Sequence, residues 1–108
     1  MAYDEALADR VRAQLGDESG LTERKMFGGI AWMLEGNMAV GLMKDGMLVR
    51  LGDQVEAALD EPHTSRPMMG ERPMKGMVVV APEGVETDEQ LAAWVARGSD
   101  VARSLPPK

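Results

Sequence analysis

Residues 23–51 read ERKMFGGIAWMLEGNMAVGLMKDGMLVRL, and the fold follows from how this stretch is divided. Apolar and small residues run in three segments, separated by Glu35-Gly36-Asn37 and by Lys44-Asp45-Gly46. Gly and Asn supply the positive φ that tight hairpin turns demand, and Asp-Gly suits a type I′ turn. The spacing predicts a three-stranded antiparallel meander with strands near residues 24–34, 37–43 and 47–51. Three strands with an apolar face are about the minimum for an independently stable sheet, so the other elements are expected to pack on this one.

Successive side chains of a strand point to opposite faces. In the first strand Met26, Gly28, Ile30, Trp32 and Leu34 therefore share one face, and Phe27, Gly29, Ala31 and Met33 share the other. In the second, Met38, Val40 and Leu42 oppose Ala39, Gly41 and Met43. An antiparallel sheet with one wet face alternates apolar and polar residues. This one is apolar on both faces, which implies helices over one and a further cover over part of the other.

Outward from the meander, residues 4–15 have helical periodicity. Leu7, Val11 and Leu15 recur every four residues, with Asp4 suited to the amino cap and Gly16 to the carboxyl cap. Downstream, Asp53 and Glu56 suggest a capping box opening a short helix over 53–60. Pro62, Pro67 and Pro73 then exclude a helix and allow at most an edge strand near 66–69. KGMVVVA, residues 75–81, reads as an interior strand ended by Pro82-Glu83-Gly84. Thr87 and Gln90 form a fuller capping box for a last helix that runs to about Arg103 despite Gly98. The predicted order is α-β-β-β-α-β-β-α, a two-layer α+β domain with a single antiparallel sheet of about five strands. All 108 residues are expected to form this one domain.

The composition removes several functions. There is no cysteine, so disulfides, thiolate metal sites and cysteine nucleophiles are excluded. No apolar run approaches the roughly 20 residues of a membrane-spanning helix, and no signal sequence opens the chain, so a cytoplasmic location is expected. A net charge of −6 disfavours direct binding to nucleic acid, which depends on neutralising phosphates. His63, the single histidine, sits in a Pro/Thr/Ser loop with nothing beside it to make a general base. The serines lack a nucleophile-elbow context. The methionines suit adaptable packing better than copper(I), since no His or Cys accompanies them. No enzymatic activity and no cofactor or metal are expected.

The basic residues are the remaining candidates. Arg24 and Lys25 open the first strand, and Arg66-Pro67 and Arg72-Pro73-Met74-Lys75-Gly76 repeat an Arg-Pro pair that presents arginine from an extended backbone. Arginine stems covering apolar sheet surface explain the same pattern. Gly28-Gly29, within a strand, marks a bulge or a close approach by another backbone or a ligand.

Lys25-Met26-Phe27-Gly28-Gly29, Gly36-Asn37-Met38, Arg66-Pro67, Arg72-Pro73-Met74-Lys75-Gly76 and the closing ARSLPPK together resemble the TfoX/Sxy family, and within it the N-terminal domain. The resemblance spans the chain. It implies a secretion-chaperone-like α+β fold, a homodimer that would cover the second sheet face, and no catalytic residues. Full-length members are regulators of natural competence genes, acting with the cyclic-AMP receptor protein as co-activators. They carry a C-terminal helical domain that these residues lack.

Two function classes follow. One is a regulatory module working through protein–protein contact, with Arg24, Lys25, Phe27, Gly28, Gly29, Arg66, Arg72, Met74, Lys75 and Gly76 as its interaction surface. The other is a stand-alone dimeric domain that binds a small ligand or nucleic acid along the Arg-Pro and lysine edge.

Overall fold

Both predicted turns reverse the chain, and a third that was not expected precedes them. The computed structural model describes residues 3–26, 28–44, 46–69, 72–73 and 75–107. Its meander has four strands: β1 (Leu21–Met26), β2 (Gly29–Leu34), β3 (Asn37–Met43) and β4 (Gly46–Arg50). The stretch expected as one strand over 24–34 is thus a hairpin, with Met26 opposite Gly29 and Gly28 at φ 76° between them. Glu35 and Gly36, at φ 53° and 83°, make the two-residue turn between β2 and β3. Positive φ at both central residues matches the right-handed twist of the flanking strands.

After β4 come a short 3₁₀ turn (Gly52–Gln54) and the single-turn helix α2 (Val55–Ala58). The expected Asp53–Glu56 capping box does not form, because Asp53 is taken into the 3₁₀ turn and α2 has no side-chain cap. β5 (Thr64–Ser65), a small hairpin of β6 (Met68–Met69) and β7 (Arg72–Pro73), and β8 (Met77–Val80) complete the strands. The main sheet is antiparallel, six strands against the expected five or so, in the order β1-β2-β3-β4-β8-β5. β8 is interior, as its β-branched run implies.

The two long helices are α1 (Glu5–Leu15) and α3 (Asp88–Ser104). Asp4 Oδ1 accepts from the amides of Ala6 and Leu7, and Thr87 and Gln90 complete the reciprocal box. Both helices lie on one face of the sheet. Leu7, Val11 and Leu15 of α1 and Leu91, Trp94 and Val95 of α3 bury against Ile30, Trp32, Val40, Leu42, Met47 and Val49. Full burial of side chains of this size stabilises by about 1.5–3 kcal/mol each, so this layer dominates the folding energy.

Strand β3 departs from simple alternation. Val40 faces Trp32 and Met38 faces Met33, leaving Ala39 as an extra residue in a β-bulge. Ala39 therefore joins Val40 and Leu42 on the helix side, packed with Leu34 and Ala102. Met38 moves to the opposite face with Met43, against the cluster of Leu48, Met77 and Val79. The predicted grouping of Met38 with Val40, and of Ala39 with Gly41, is corrected by this one inserted residue.

α3 crosses the sheet at the bulge. A Cβ on Gly98 would stand 2.5 Å from the Ala39 carbonyl oxygen and 2.9 Å from Val40 Cγ1. A glycine-to-alanine change inside a helix ordinarily gains up to about 1 kcal/mol. Here the sign is expected to invert, because overpacking against backbone costs about 1–3 kcal/mol. Gly98→Ala is expected to lower the melting temperature by roughly 5–10 °C, measured by thermal unfolding; an increase would contradict this packing.

Candidate functional site

The candidate residues divide between two places. Lys25 pairs across the sheet with Ile30, Ile30 with Leu42, Leu42 with Met47 and Met47 with Val80, which sets one end of the sheet. Arg24, Lys25, Gly28 and Gly29 belong to that end, on the β1 edge. Lys75 and Gly76 stand at the other end, where the Gly76 carbonyl accepts from the amides of Leu51 (2.8 Å) and Gly52 (3.0 Å). Four strand spacings and four residues of rise separate the two corners by roughly 23 Å. Arg66 lies beyond β5 and is paired with Glu56. Phe27 and Met74 lie outside the described residues, as does the side chain of Arg72, whose backbone is in β7.

The glycines of the two motifs have structural work. Gly28 takes the positive φ of the first hairpin turn. A Cβ on Gly29 would sit 2.3 Å from the Leu42 carbonyl oxygen, so a neighbouring backbone accounts for that position. Gly76, at φ 77°, turns its carbonyl onto the end of β4. Asn37, from the third motif, is buried and donates from Nδ2 to the Pro106 carbonyl at 2.9 Å, tying the β2–β3 turn to the closing residues.

Strand β1 is held to the helical layer by one network. Arg12 of α1 grips Glu23 with two nitrogens, Nε at 2.7 Å and Nη2 at 3.1 Å, and also reaches Asp9. The Trp32 indole N–H donates to Glu23 at 2.9 Å. The Arg12 hydrogen bond holds the Glu23 carboxyl below its ordinary range, against the opposing effect of burial; Trp32 and the nearby charge of Lys25 act with Arg12. Glu23 thus fixes the strand from which Arg24 and Lys25 project, and it was missed because a glutamate beside two basic residues reads as solvated edge charge. Arg97 is a counterpart on α3, bidentate to Glu61 at 3.0 and 2.9 Å and stacked 4.3 Å from the Trp94 ring centroid.

His63 is exposed at φ 66°, and its carbonyl accepts from Ala81. Among the described residues no group of three His, Cys, Asp or Glu side chains is arranged for a metal ion, and no helix is long and apolar enough to cross a membrane.

The surface with the most distinctive chemistry is the sheet face away from the helices. Arg24, Ala31, Gly41, Leu48 and Val79 form one row across it by register, with Arg24 exposed and the other four buried. Met33, Met38 and Met43 are half-buried beside Ala31 and Gly41. Arg50, opposite Met77, donates from Nε to the Met38 carbonyl next to the bulge.

The TfoX N-terminal domain family matches residues 13–102 of the 108, and the chain belongs to that family. No curated protein and no solved structure gives a significant match.

Because Glu23 titrates lower folded than unfolded, its stabilisation is complete above the ordinary glutamate pKa of about 4.3 and is lost as the pH falls through the lower, folded value. Glu23→Gln keeps an acceptor for Trp32 but removes the charge facing Arg12. It is expected to cost about 1–5 °C in melting temperature at pH 7. It should also reduce the acid-side fall in stability, followed by thermal unfolding from pH 7 to 3; unchanged acid sensitivity would contradict the role given to Glu23.

Proposed function

We propose that the chain is a non-enzymatic regulatory module that acts through protein–protein contact. In this reading it is a cytoplasmic co-regulator of DNA-uptake genes, working beside a transcription factor of the cyclic-AMP receptor protein type. The observation that carries the reading is the sheet face that no helix covers, in a chain of the TfoX N-terminal domain family. The motif glycines are absorbed by turns and close backbone approaches. What they support is a surface of methionines edged by arginines, which is suited to contact with another protein.

A second copy of the chain is the other occupant to weigh, because half-buried Met33, Met38 and Met43 suit a dimer contact. Binding of nucleic acid or a small ligand along one basic edge has less support. Lys25 and Lys75 stand at opposite corners of the sheet, and Arg66 is engaged by Glu56.

The test is the transcript level of DNA-uptake genes in a strain lacking the chain. A several-fold fall, restored by supplying the chain in trans, is expected. Unchanged transcripts would overturn the regulatory role.

A further inference from the structure

We infer that the helix-free face of the sheet docks an acidic amphipathic helix of another protein, an inference that rests on the protein-contact role above. The first observation is where unpaired arginine occurs. Arg10, Arg12, Arg66, Arg97 and Arg103 each meet a carboxylate. Among the described residues Arg24 and Arg50 meet none, and register places both on this face. No carboxylate shares the face with them at the described strand positions. Yet the whole chain has a net charge of −6.

The second observation is shape. Between the two arginines the floor, Ala31 opposite Gly41, is small and buried, with the Met38 ε-methyl over Gly41, 2.6 Å from where a Cβ would stand, so the half-buried methionines are what a partner would meet. Met33 and Met43 border that floor. Unbranched thioethers can swing to fit an apolar stripe, a recurrent way of holding an amphipathic helix. Arg24 on β1 and Arg50 on β4 are three strand spacings apart and two residues out of register, roughly 16 Å. A helix is about 10–12 Å across with its side chains. A helix laid on the methionines can therefore place carboxylates against both arginines, one on each flank.

Charge also selects against self-association here. Two copies stacked on this face would bring two arginines from each into a shared interface to which the described strand positions bring no carboxylate, and buried unpaired charge is costly. An acidic helix instead supplies the missing partners, while the acidic remainder of the surface repels it from other sites.

The experiment uses the full chain with methyl-labelled methionine, observed by NMR. Two synthetic amphipathic peptides share one leucine stripe, flanked by glutamate in the first and by lysine in the second. The glutamate peptide is expected to shift the Met33, Met38 and Met43 methyls saturably, and the lysine peptide is not. Arg24→Glu should weaken glutamate-peptide binding by roughly fivefold or more, and Arg24→Gln by less, with the melting temperature unchanged because Arg24 is exposed on an edge strand. Equal binding of both peptides, absence of binding, or shifts confined to other methionines would overturn the site. So would concentration-dependent shifts of the same three methyls without peptide, which would assign the face to a second copy. None of these outcomes alters the transcript test, so the site and the regulatory role fail separately.

Discussion

The close approach of α3 to the bulge in β3 is the constraint on which the arrangement depends. An inserted residue at Ala39 pushes its carbonyl toward the helical layer, and only a residue without a Cβ fits above it at Gly98. The same insertion reverses the facing of β3. Val40 and Leu42 stay in the core beneath the helices, and Met38 is turned to the other side. Its carbonyl, beside the bulge, is met by Arg50. One irregularity in one strand thus sets both the helix packing and the chemistry of the opposite face.

The arginines divide along the same line. On the helical side they act as ties between segments distant in sequence: Arg12 to Glu23 on β1, Arg97 to Glu61 before β5, Arg103 to Glu18 and the Ser19 carbonyl. Exposed pairs of this kind contribute little singly, about 0–1 kcal/mol. Their effect here is positional, since they hold the sheet edge and loops against helices that hydrophobic burial has already placed. On the opposite side Arg24 and Arg50 stand in an apolar field without carboxylates among the described residues. That asymmetry is what the proposed docking of a partner rests on.

The two long helices were legible because capping and periodicity are local. Asp4, Thr87 and Gln90 do in the structure what their residue types predict. The α+β class and the apolar second face were legible from the meander. The first hairpin was not. Met26-Phe27-Gly28-Gly29 continues the apolar run without a polar break, while β1 itself, LTERKM, carries edge charges that disguise a strand. Nor was the bulge legible, because nothing in Met38-Ala39-Val40 marks an extra residue until Trp32 and Met33 fix the register. Gly98 was the one visible clue, a helix breaker retained inside a well-capped helix, but its partner lies 59 positions away in sequence. The proposed basic surface could not be assembled from sequence for the same reason: strand order, not proximity along the chain, sends Lys25 and Lys75 to opposite corners.

If the helix-free face belongs to a different protein, the purified chain has no use for it alone. Light scattering across a dilution series tests this most directly. A mass of 11.7 kDa at every concentration is the expected result. A stable species of twice that mass, persisting on dilution, would contradict it by giving the face of Arg24, Met33, Met38 and Arg50 to a second copy of the chain.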